Sequence, residues 1–213
     1  MPLKTKSAQS SDEAAAAAPA ALEETATRQE LETALGDDDA GVRRRAARAL
    51  AQDPEAAPAL AARLLEESAP SVRVYLFEAL RAIGGAPAVE ALTPLLRLDD
   101  ADLRGGAVQA LQRMPEAVGP AMTALLTDED ADVRLMAIDV LQDLAHPEAG
   151  QWLAETLERE SEVNVVGAAL DRLAEIGGPE HAPLIIAARD RFADQPFIAF
   201  AAGQALASIE GST

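Results

Sequence analysis

Apolar residues recur along the chain in blocks about thirty residues apart. Aligned on one position, the blocks place Val42, Val72, Leu103, Val133, Val165 and Ile198 in register, spaced 30, 31, 30, 32 and 33 residues apart. Four positions beyond each stands an apolar residue (Ala46, Leu76, Ala107, Ala137, Ala169, Ala202). Eight beyond stands a leucine (Leu50, Leu80, Leu111, Leu141, Leu173, Leu206). The spacing i, i+4, i+8 marks one face of an α-helix. Six such helices at a near-constant period imply a stack of repeats.

A second apolar stretch precedes each of the last five helices, usually opening on proline: Pro54–Glu67, Pro87–Leu98, Pro115–Thr127, Pro147–Glu160 and Pro179–Phe192. Proline suits a first helical turn, where no intrahelical donor is lost. Gly84-Gly85 and Gly177-Gly178 are the expected stops. The first repeat's leading helix is expected over Leu22–Leu35. The fold expected is all-α: a solenoid of about six antiparallel helix pairs, each too thin to bury its face alone.

The second helices share a motif, D/E-x-D-x-x-[VL]-R-x-x-A-x-x-x-L, carried by "DDDAGVRRRAARAL" and "DEDADVRLMAIDVL" and, except at its first position, by "LDDADLRGGAVQAL". This pattern resembles the HEAT-repeat family, in particular the short HEAT-like repeats of the phycobilin-lyase (PBS lyase) type, over about Leu22–Ser208. The resemblance implies a right-handed superhelical array whose second helices line the concave side. It also implies a ladder in which Arg43, Arg73, Arg104 and Arg134 pair with acids of a neighbouring turn, as exposed pairs. Val166 and Ala199 stand in place of the arginine in the last two repeats.

Composition narrows the function. The chain carries 36 acids against 18 bases, a net charge of −18. Phosphate backbones are bound through cationic surfaces, so nucleic acid and anionic membranes are not expected partners, while basic or amphipathic protein segments are. With no cysteine, disulfides and thiolate chemistry are excluded. Residues 1–20, rich in alanine and serine, read as a disordered tail, leaving 21–213 as one repeat domain. No stretch has the basic start of a signal peptide or the length of a membrane span, and the expected location is cytoplasmic.

Candidate chemistry is thin. Asp128, Asp130, Asp132 and Asp139 fall where a calcium-binding loop would place acids, but Val133 occupies the position that needs glycine. The acids read better as helix caps, so no metal is expected. His146 and His181 lie in turns, one repeat apart, and read as solvated or capping groups. Neither a cofactor nor a catalytic residue is expected. The phycobilin-lyase likeness keeps one alternative open, a lyase- or chaperone-like protein handling a tetrapyrrole, for which Trp152, Tyr75 and four phenylalanines are a sparse lining.

The surface of the second helices carries the remaining signal. Two positions beyond the marker stand Arg44, Val74, Gly105, Leu135, Gly167 and Phe200; with Tyr75 and Met136 beside them, these form an apolar track where polar residues are expected. Six positions beyond stand Arg48, Glu78, Gln109, Asp139 and Asp171. The function expected is a non-enzymatic scaffold, adaptor or regulator. A partner helix would be gripped by Val74, Tyr75, Leu135, Met136 and Phe200 and oriented by Arg44, Arg48, Glu78 and Asp139. The apolar stretch Phe192–Ile209 is expected either to close the array, with Phe192, Phe197 and Phe200 packed inward, or to form a homodimer contact.

Overall fold

The computed structural model describes residues 26–211. The expected tail over 1–20, and the start of the leading helix expected from Leu22, lie outside the described residues. Among those described there are twelve α-helices and no strand. They form six pairs: α1 Arg28–Ala34 with α2 Ala40–Leu50; α3 Ala57–Glu66 with α4 Pro70–Ile83; α5 Gly85–Leu92 with α6 Ala101–Leu111; α7 Pro115–Leu126 with α8 Ala131–Gln142; α9 Ala149–Arg159 with α10 Val163–Ile176; α11 Ala182–Arg191 with α12 Pro196–Gly211. The second helices pack in chain order, α2 through α12, and the first helices α3, α5, α7, α9 and α11 form the facing layer. None of the helices is long and apolar enough to cross a membrane.

The core lies between the two layers. Every marker residue from Val72 to Ile198, and every residue four beyond a marker, is buried. The exceptions to the pattern are Val42 and Leu206, half-buried in the first and last described repeats, where a neighbour stands on one side only. The proline starts hold at Pro115, but α5 begins two residues ahead of Pro87 and passes into a 3-10 turn at Thr93–Arg97. Pro94 accounts for that change, because it has no amide hydrogen to donate back to the helix. At the stops, Gly84 adopts the left-handed φ of 61° expected of a helix-ending glycine. Gly177 instead has φ −71°; it needs to be glycine because a Cβ there would lie 2.4 Å from the Leu173 carbonyl oxygen.

The acids before the second helices act as caps. Asp39 accepts from the amides of Gly41 and Val42, Asp100 from those of Asp102 and Leu103, and Asp130 from that of Asp132. Asp128 accepts from the Asp130 amide at 3.0 Å and is held by Arg97 from the preceding repeat. The calcium-like spacing is thus taken up by helix capping, and Asp139 lies a further two turns along α8.

The arginines behave differently from the exposed ladder expected. Each of Arg43, Arg73, Arg104 and Arg134 donates to the carbonyl six residues before it. Arg43 also grips Glu67 of the next repeat through two bonds of 2.7 and 2.9 Å, and Arg134 grips Glu160 in the same way. Glu67 is 1% exposed, so this rung is buried. Burial pushes its carboxyl upward, but hydrogen bonds from Arg43, the Ala69 amide and Arg63 outweigh that and hold it at about 2. Where Val166 replaces the ladder arginine, Arg191 from the first layer donates to the carbonyls of Leu157, Glu158 and Glu160, the last of them six residues before Val166.

Candidate functional site

The second-helix layer carries a groove of about 760 Å³ between α4 and α6. Its floor is Val74, Phe77 and the backbone at Gly105-Gly106, and Arg73, Arg81, Arg113, Glu78 and Asp102 form the rim. The two glycines differ. A Cβ on Gly106 would lie 2.3 Å from the Phe77 ring, whereas one on Gly105 would meet nothing within 4 Å. Phe77 therefore fills the hollow at one glycine and leaves the backbone bare at the next. Val74 beside it is 59% exposed. An apolar side chain has somewhere to sit here, with charged groups around it to fix its orientation.

Of the residues expected on the track, Val74, Tyr75 and Phe200 are exposed. The Arg44 guanidinium lies 5.9 Å from the Tyr75 ring centre, within cation–π range. Arg48 is exposed, and Glu78 is exposed and paired with Arg81 three residues on. Leu135 and Met136 are half-buried and pack against the core, so they offer edges rather than free side chains. Burial raises the Asp139 carboxyl above the ordinary aspartate value. Gly167 is buried beneath the Phe197 ring, whose nearest atom is 2.3 Å from where a Cβ would be. The expected continuous track is thus broken: open at α4–α6, filled at α10, exposed again at Phe200. Phe77, Gly106 and Arg113 belong to the groove and were not expected there. The mid-helix glycine doublet at Gly105-Gly106 is the signal in the sequence that could have marked them.

On the first-helix layer, a shallower hollow of about 490 Å³ lies beside His146 and Trp152. Their rings stack with centres 4.5 Å apart. His146 accepts from the Glu148 amide at 3.2 Å, and His181 accepts from the Gly178 amide at 2.9 Å. Both histidines are turn-capping groups, and each ring also rests on a glycine of the preceding repeat, Gly119 and Gly150. Phe192 is half-buried against the core, while Phe197 is 52% and Phe200 67% exposed. The aromatic residues are therefore dispersed over both layers rather than gathered into one cleft of the kind a tetrapyrrole calls for. Phe192 packs inward, Phe197 lies on Gly167 with half its surface still exposed, and Phe200 stays outside.

A family model described as HEAT repeats matches residues 28–112 and 119–211. The chain belongs to the HEAT-repeat family. Repeat solenoids of this kind are typical protein-interaction scaffolds. Solved structures similar to this HEAT-repeat chain include the archaeal HEAT-like repeats protein from Thermococcus onnurineus NA1, 16% identical over 90% of each chain with a TM-score of 0.46. An engineered protein is 22% identical over 88% of this chain and 100% of its own, with a TM-score of 0.42. A designed armadillo repeat protein in complex with peptide (KR)4 is 19% identical over 87% of this chain and 100% of its own, with a TM-score of 0.41. No curated protein matches the chain.

Proposed function

We propose that this HEAT-repeat protein is a cytoplasmic, non-enzymatic scaffold that holds a segment of a partner protein against its second-helix face. The α4–α6 groove is the seat. The observation that carries this reading is the pairing of an open helix backbone at Gly105 with exposed Val74, inside a hollow large enough for one or two bulky side chains. A flat, fully solvated helix layer would present neither. Tyr75 under Arg44 extends the same surface toward α2, and charged rim residues set the direction in which the segment lies.

The test uses the intact chain as bait in its native lysate, beside Val74→Asp and Gly105→Trp. Both side chains project into open space, so both variants should fold as the wild type does. A partner that wild-type protein captures should be lost from both variants. Equal capture by all three baits would overturn the groove as the seat. A second surface is supported by α12, whose Pro196–Ile209 stretch carries no charge and leaves Phe197 and Phe200 exposed. It suits contact with another copy of the chain, in which case sedimentation should show a dimer that Phe200→Asp dissociates.

A further inference from the structure

The partner's chemistry can be drawn from the arginines that form no ion pair. Acids outnumber bases two to one, and every cation beyond residue 6 is an arginine, so an arginine in this chain should find a carboxylate easily. Most do, in ladder rungs or in i, i+3 pairs such as Arg81–Glu78 and Arg172–Glu175. Among the described residues, Arg44, Arg45, Arg48, Arg113 and Arg159 reach no carboxylate within ion-pair distance and donate no hydrogen bond, although the charges of Arg44 and Arg45 are felt by Asp39 at the start of α2. Four of these five stand on α2 or just past the end of α6, the two helices that flank α4. Arg44 lies over Tyr75, on the α2 side. Arg113 lines the groove itself, beside Arg81. Against them stands Asp102, at the far end of the groove near Arg73, which already pairs with Asp100.

We propose that the α4–α6 groove takes an acidic amphipathic segment of another protein, with an apolar side chain seated over Gly105 and Val74 and carboxylates turned toward Arg113, Arg81 and the α2 arginines. The proposal rests on the reading that a partner segment occupies this face, and it reverses the sign of partner that the net charge alone suggests. Guanidinium groups bind carboxylates in two-pronged fashion, and those of Arg48 and Arg113 are free to do so without breaking an internal pair. Arg81 exchanges one exposed carboxylate, Glu78, for another. A nucleic acid also offers anions, but its sugar-phosphate backbone brings no apolar side chain to fill the floor at Val74 and Gly105.

Fluorescence anisotropy on the full chain decides the matter with three labelled probes at about 0.1 M salt, where exposed charges more than about 10 Å apart are screened. The first is a four-turn amphipathic helical peptide with leucines on one face and glutamates flanking them. The second has lysine at every glutamate position, and the third is oligothymidylate. The glutamate peptide should bind, and its affinity should fall about tenfold or more in Arg81→Glu/Arg113→Glu and in Gly105→Trp. Unchanged affinity in the charge-reversal variant would overturn the proposal, as would tighter, Gly105→Trp-sensitive binding of oligothymidylate. If the lysine peptide is the one that Gly105→Trp displaces, the acidic partner is wrong and the groove remains the seat. If Gly105→Trp alters no probe, both readings fall. Far-ultraviolet circular dichroism on each variant confirms that the fold is retained.

Discussion

Replacing Gly105 and Gly106 by alanine, one at a time, should move stability in opposite directions. Both lie inside α6, where glycine costs roughly 0.5–1 kcal/mol relative to alanine because the unfolded chain loses more freedom. At Gly105 the new methyl meets nothing within 4 Å, so that gain should appear whole. At Gly106 the methyl would lie 2.3, 2.4 and 2.9 Å from three atoms of the Phe77 ring. Ordinary carbon contacts are about 3.5–4.0 Å, so the ring must retreat by more than an ångström. Overpacking of this kind costs about 1–3 kcal/mol, which exceeds the helical gain. The two variants should therefore differ by about 1–3 kcal/mol, or several degrees in Tm for a chain of this size.

Urea unfolding followed by helical circular dichroism measures the difference. A Phe77→Leu background supplies the control. With the ring shortened, Gly106→Ala should recover the same gain as Gly105→Ala, giving a coupling energy of about 1 kcal/mol or more between positions 77 and 106. Equal gains at both glycines in the wild-type background, or coupling below about 0.3 kcal/mol, would refute the packing of Phe77 on Gly106. The asymmetric groove built on that contact would fall with it.

Glu67 ties stability to acid. Its folded carboxyl sits at about 2 against an ordinary 4.5, so its contribution is complete above about pH 4.5 and is lost as pH falls through 2. The linkage amounts to something on the order of 3 kcal/mol. Glu67→Gln should be markedly less stable than wild type at pH 7 and nearly equal to it at pH 2; a gap that stays constant in denaturant titrations across that range would contradict the buried rung. Asp139 has the opposite sign: burial raises its carboxyl, so its charge costs stability at neutral pH and the cost disappears as pH falls through the raised value. Asp139→Asn should raise the unfolding midpoint at pH 7 but not at low pH, and the reverse order would remove Asp139 from its half-buried position. Leu135→Asp should cost about 1–3 kcal/mol because Leu135 packs against the core, while Val74→Asp should stay within about 0.5 kcal/mol; calorimetry giving both the same loss would place Val74 in the core as well.

The repeat was legible because its signal is set by one requirement, that each helix bury the same face between two layers. Val72, Leu76 and Leu80 meet it, and so do their counterparts in each inner repeat, so period and face could be read together. The ends blurred for the same reason: Val42 and Leu206 keep the pattern and are only half-buried, since a neighbour covers one side. The arginine ladder was legible in outline, but its depth was not. Motif spacing places Arg43 near an acid of the next repeat, whereas the depth of Glu67 also depends on Arg63, one turn back on α3, and on the Ala69 amide closing the site.

The groove was hidden by a different circumstance. Spacing within a helix fixes which way a side chain faces, but not which neighbour fills the hollow opposite a glycine. Gly105, Gly106 and Gly167 look alike along the chain. Phe77 reaches forward by one repeat to cover Gly106, and Phe197 reaches back by one repeat to cover Gly167. The ring of Phe197 closes Gly167 from within. A doublet exceeds what one phenylalanine can cover. Gly105 faces about 100° round the helix from Gly106, so the ring that covers one does not reach the other, and the seat for an outside side chain is the part of the doublet that Phe77 leaves open.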